Sequence, residues 1–112
     1  MVEKILGVIV TIGSINGRLP LPMVTDCSAA KAAFNNLAKA LSKKAGPPNV
    51  RVNMVDPGPV ATHFWADRDG VASVLGDASG KTAEQVTAEF ASNSLTGRFT
   101  RPDEVADRVM ML

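Results

Sequence analysis

In the stretch TDCSAAKAAF, residues 25–34, a thiol at Cys27 stands four residues ahead of an amine at Lys31. On a helix that spacing puts the two side chains on one face, one turn apart. A cysteine that works as a nucleophile needs a cationic or basic neighbour to hold its thiolate, and Lys31 is the local candidate. Each residue also has a plainer reading. A bare cysteine is usually a small buried hydrophobe, and a lone helix lysine usually lays its stem on the surface with its head in water. Ser14, thirteen residues before Cys27, is by itself a turn or cap residue. His63 is the single histidine and Cys27 the single cysteine, too few soft ligands for a closed metal site.

The elements that must position these residues can be read from pattern. The β-branched run ILGVIVTIG, residues 5–13, lacks polar alternation, as a strand buried on both faces of a parallel sheet does. Residues 14–24 mix Gly17, Asn16, Pro20 and Pro22 and read as a loop leaving that strand's C-terminal end, where open α/β sheets place their ligands. A helix is expected over 26–45, capped by Thr25 or Asp26, with Ala30, Phe34, Leu37 and Leu41 as its packed stripe. Lys39, Lys43 and Lys44 complement its dipole, and GPPN, residues 46–49, ends it.

A second strand over 50–55, VRVNMV, completes a strand–helix–strand unit, which implies parallel strands. Pro57 and Pro59 then forbid further sheet pairing. Residues 61–80 show no sustained period and are expected to be a mobile segment with short helical pieces, within a loop region over 57–80. Helices follow over 82–93, opened by a Thr82/Gln85 capping box, and over 102–112, opened by Pro102.

Bulk properties narrow the partners. The chain has 112 residues, 46% of them apolar, enough for one domain core. Twelve basic and eleven acidic residues leave a net charge of +1 without a block of like charge, which argues against nucleic-acid or anionic-membrane partners. One unpaired cysteine suits a reducing compartment, and the cytoplasm is expected. The apolar run is far too short to span a bilayer.

Taken in order, VIVTIGS, CSAAKAAFNNLAKALSKK, VRVNMVDPGPVATHFW and GRFTRPDEVADRV resemble the C-terminal half of a short-chain dehydrogenase/reductase, over essentially the whole chain. The resemblance implies an α/β fold: a partial Rossmann-like, doubly wound parallel sheet truncated at both ends, with residues 1–112 a fragment of a single oxidoreductase domain. It also implies hydride transfer between NAD or NADP and an alcohol or carbonyl. In that family a serine orients the carbonyl oxygen, a tyrosine gives it a proton, and a lysine one turn on lowers the phenol's pKa and binds the nicotinamide ribose. Ser14, Cys27 and Lys31 hold those three places, so Cys27 stands where the tyrosine would. The sequence contains no tyrosine at all. Thiols ionise in a usable range, but a cysteine is shorter by a phenyl ring, so reach fails before acidity does.

By the same resemblance Pro57, Gly58, Val60 and Thr62 pack on the nicotinamide and its carboxamide, and Phe64 and Trp65 line or cover a substrate pocket. Read alone, that stretch is a strand-ending turn with Thr62 as a cap and two packing aromatics. The family's Gly-rich phosphate turn and Asn-Ala-Gly segment do not occur in these residues. The expectation is therefore a family member inactive by itself. The alternative is a non-catalytic subunit that oligomerises through the helix over 26–45, whose alanines at 29, 30, 32, 33, 38 and 40 permit close approach.

Overall fold

A computed structural model describes residues 6–45 and 49–112. They form two compact units, one holding the described residues up to Pro57 together with Ala106–Leu112, the other Gly58–Val105.

The first unit is built on two parallel strands, β1 (Gly7–Ile12) and β2 (Val50–Val55), in register from Gly7 opposite Val50 to Ile12 opposite Val55. Both are β-branched runs, which fit a pleated surface. Ile5 of the expected strand lies outside the described residues. The ladder runs one residue past β1, because the Gly13 N–H donates to the Val55 carbonyl at 2.8 Å. The connecting helix α1 (Thr25–Ala45) is rich in alanine, the strongest helix former. Thr25 already has helical dihedrals as it leaves a 3₁₀ turn, Pro22–Val24, so neither Thr25 nor Asp26 is the cap expected of them. The loop before it is not featureless either, since Ile15–Gly17 forms another 3₁₀ turn. The expected terminator at 46–48 lies outside the described residues, and Asn49 enters β2 with φ 60°, a conformation asparagine tolerates.

The packed face of α1 differs from the expected stripe. The helix rests on β2 and the Ile15–Gly17 turn, and it buries Ser28 and Ala38, while Ala30 is exposed and Leu37 is 52% exposed. The most buried side thus runs through Ser28 and Ala38 with Lys31 and Asn35 half-buried between them, while of the expected stripe Phe34 and Leu41 are half-buried and Ala30 and Leu37 exposed. Small and polar residues face inward here because a loop and its polar side chains occupy that side.

In the second unit α2 (His63–Ala66), α3 (Val71–Ser79) and α4 (Ala83–Asn93) pack in sequence around Ala72, Leu75 and Val86. Two of these helices, of four and nine residues, lie within residues 61–80. α3 buries Ala72, Leu75 and Gly76 at helical spacing and ends on Gly80 at φ 71°, but its glycines and small polar residues dilute the periodicity that sequence reading relies on. The Thr82/Gln85 capping box is present. Pro57 and Pro59 do not end backbone pairing: Val60 bridges Thr100 in parallel, and the Pro59 carbonyl accepts from the Thr100 N–H at 3.0 Å. Proline lacks the donor and keeps the acceptor. Helix α5 (Pro102–Met110) begins on the expected proline. Among the described residues no helix is long and apolar enough to cross a membrane.

Candidate functional site

Ser14 follows β1 in an extended conformation and caps the Ile15–Gly17 turn, its Oγ accepting from the Asn16 N–H at 3.2 Å. Its carbonyl takes the Gly17 N–H at 3.0 Å, and the Ile15 N–H donates to the Pro57 carbonyl at 3.0 Å. The hydroxyl proton of Ser14 is still available to a ligand, since a hydroxyl donates as well as accepts.

That turn is pressed against α1. A Cβ on Gly17 would lie 3.0 Å from the Lys31 backbone carbonyl and 2.7 Å from Asn35 Nδ2, so only glycine fits at this approach. Further along the loop, the Leu21 N–H donates to Ser28 Oγ at 3.2 Å, which is why a serine is buried on this helix. The structure therefore joins the Ser14 turn to the helical turn carrying Lys31. Lys31 is half-buried, with Nζ 5.9 Å from the centre of the Phe34 ring, a cation–π contact. Cys27 is exposed, not the buried hydrophobe a lone cysteine suggests, because the inward side of this turn belongs to Ser28.

Sequence reading missed a polar cluster beneath these residues. The carboxylate of Asp56, only 9% exposed, accepts from Arg18 Nε at 2.8 Å, and Asn35 Nδ2 lies 3.5 Å from the same oxygen. A Cβ on Gly13 would sit 2.1 Å from Asp56 Oδ1 and 3.0 Å from Asn35 Oδ1. An aspartate directly before the Pro-Gly turn and an arginine four residues after Ser14 were visible in the sequence, yet nothing local pairs residues 38 apart.

Of the remaining predicted residues, Pro57 belongs to the first unit and its carbonyl supports the Ser14 turn. In the second unit, Gly58 is exposed and a Cβ there would meet nothing within 4 Å. Val60 is tied to Thr100 through its backbone. Thr62 is the N-cap of α2 but its side chain makes no capping bond, so the hydroxyl is uncommitted within the described residues. Trp65 packs edge-to-face on Phe90 and Phe99, with ring centres 5.1 and 5.0 Å away, while Phe64 is exposed. Trp65, half-buried, thus packs within its own unit. Also in this unit, Arg98 makes a two-point bond to Glu104 at 2.7 and 2.9 Å, and the Arg101 N–H donates to the same carboxylate at 2.8 Å. The Arg98 hydrogen bond, helped by that backbone N–H, lowers the Glu104 carboxyl to about 2.

The pattern of the short chain dehydrogenase family matches residues 1–72. The 4-formylbenzenesulfonate dehydrogenase TsaC1/TsaC2 of Comamonas testosteroni is 36% identical over 106 residues, which are 95% of this chain and 38% of that protein. A 3-oxoacyl-(acyl-carrier protein) reductase of Brucella melitensis, solved with bound NAD, is 30% identical with a TM-score of 0.73, covering all of this chain and 36% of that one. An NADPH-bound short chain oxidoreductase of Pseudomonas aeruginosa PAO1 with an atypical catalytic center is 30% identical with a TM-score of 0.73, over 94% of this chain and 38% of that one. The chain spans about two fifths of the length of the relatives it matches.

Proposed function

The chain belongs to the short chain dehydrogenase family, and on that premise we propose that it carries the serine–lysine part of a nicotinamide-dependent alcohol/carbonyl site and is inactive in carbonyl reduction by itself. One observation carries this reading: Cys27 occupies the exposed helix position one turn before Lys31, while the turn bearing Ser14 is packed against Lys31's own helical turn. In this reading residues 1–112 are part of one Rossmann-like domain of the kind its longer relatives contain.

Residues of each unit, taken separately, suit parts of a nicotinamide nucleotide. In the first unit Lys31 supplies an ammonium with three donors for ribose hydroxyls. In the second, a Cβ on Gly58 would meet nothing within 4 Å and the Thr62 hydroxyl is unused by its helix among the described residues, which suits a ring and its carboxamide. When bound, NAD or NADP would supply or take up the hydride. Ser14 would orient a carbonyl oxygen through its hydroxyl proton. Cys27 would leave that oxygen without a donor in reach, because a thiol on Cβ ends a ring's length short of a phenol.

The test is Cys27→Tyr in the full chain, assayed with NADH and NADPH on a panel of aldehydes and ketones. No turnover is expected, because a phenol restores the donor while these residues lack the Gly-rich turn that cradles dinucleotide phosphates. Measurable turnover in the variant overturns the reading, and turnover in the natural chain overturns the role given to Cys27.

A second reading rests on a different observation. Part of the apolar stripe of α1 is exposed, with Leu37 52% exposed among exposed alanines, and that face would suit a second copy of this chain. It predicts a discrete oligomer in sedimentation that binds no dinucleotide and that Leu37→Glu dissociates. A monomer at all concentrations ends it.

A further inference from the structure

We propose that Asp56 is a positioning residue: acting through Arg18 and Asn35, its carboxylate fixes the turn that presents Ser14 against the helical turn that presents Lys31. The inference rests on the preceding reading for the roles of Ser14 and Lys31, and on geometry for the rest. Arg18 closes the Ile15–Gly17 turn, its N–H donating to the Ile15 carbonyl at 2.9 Å. Its guanidinium reaches Asp56 at 2.8 Å. Asn35 lies one helical turn beyond Lys31, and its amide faces the same carboxylate oxygen at 3.5 Å. A single buried carboxylate is thus linked to the residue four after Ser14 and to the residue four after Lys31.

The cluster is poorly designed as a stabilising device. Asp56 Oδ1 and Asn35 Oδ1 are buried without a hydrogen-bond partner among the described residues, an expense that an apolar side chain of similar volume avoids. Gly13 is held to zero side chain by those same two oxygens. What the carboxylate achieves, and leucine would not, is a directional tie between two turns that sequence places far apart.

The experiment uses amide hydrogen exchange on the full chain, followed residue by residue, because the Gly17 and Arg18 N–H groups report the turn directly through their bonds to Ser14 and Ile15. Asp56→Leu keeps the branching at Cγ and removes the tie. Exchange at Gly17 and Arg18 is expected to rise about tenfold, with ladder amides of Ile9 and Thr11 unchanged within about twofold. Arg18→Ala should do the same, and Arg18→Lys, which keeps a cation, should retain most of the protection. Unchanged exchange at Gly17 in both Asp56→Leu and Arg18→Ala overturns the proposal, as does a uniform rise at every amide in either variant or uniform lack of protection in the natural chain. Titration with NADPH, followed by nicotinamide fluorescence, separates the two readings: Lys31→Ala should abolish binding without moving Gly17 exchange. A natural chain that binds no NADPH removes Lys31's role toward the cofactor, and the exchange result still decides the tie.

Discussion

The turn after β1 and the turn after β2 carry comparable motifs and are held differently. The first, Ser14 to Arg18, adds to its backbone bonds a set of close neighbours from elsewhere in the first unit: the side chains of Asp56 and Asn35 and the backbone of Lys31 crowd any Cβ on Gly13 or Gly17. The second, from Gly58 to Thr62 in its own unit, is fixed by backbone bonds between Pro59, Ala61 and Thr100. Among the described residues a Cβ on its Gly58 would meet nothing within 4 Å and its Thr62 side chain makes no capping bond. A turn crowded by side chains from other elements is intolerant of an added Cβ. One fastened through its backbone leaves its side chains free to vary.

The sharpest way to break this comparison is a pair of alanines. Gly13→Ala should destabilise the first unit by about 3 kcal/mol in urea unfolding, because the new methyl must displace a buried carboxylate oxygen. Gly58→Ala should stay within about 0.5 kcal/mol of the natural chain. Equal effects would erase the distinction. Next in size is Asp56→Ala, which leaves Asn35 facing an emptied site and Arg18 without its partner; since Arg18 is largely exposed and rehydrates, a loss of about 2 kcal/mol is expected by the same measurement. Two threonine caps give a finer contrast. Thr82→Ala should lower stability by about 1 kcal/mol, because its hydroxyl accepts from the Gln85 N–H. Thr62→Ala, at a cap without such a bond, should change stability by less than about 0.5 kcal/mol.

The smallest effect concerns acid. Glu104 titrates at about 2 in the folded chain, below its ordinary 4.5. A carboxyl depressed on folding adds stability that is fully present above the unfolded value and is lost as pH falls through the folded one. The natural chain should therefore lose this increment between about pH 5 and 2, and Glu104→Gln should flatten that limb of a pH series. An identical acid limb in the variant would show that the Arg98 pair contributes nothing on folding.

What could be read from the residues themselves was whatever depends on near neighbours. The β-branched runs gave both strands, alanine content gave α1, and Thr82 with Gln85 gave a cap, because propensity and capping act within a turn or two. Four ordered motifs, with the spacing of Ser14, Cys27 and Lys31 among them, resembled the family, and the absence of tyrosine was plain from composition. Three features were legible only in the fold. The inward face of α1 is polar, running through Ser28 and Asn35 instead of Ala30 and Leu37, because the loop lying on it decides which side is inside. Residues 71–79 form a helix whose burial at Ala72, Leu75 and Gly76 comes from neighbours rather than from its own periodicity. The Arg18–Asp56–Asn35 cluster joins three residues that are distant in sequence. Local pattern determined both strands, α1 and the helices opened by Thr82 and Pro102, and which residues resemble a reductase's. Tertiary contact alone decided which side of each element is buried and which charges meet, since burial and pairing belong to surfaces that exist only once the chain has folded.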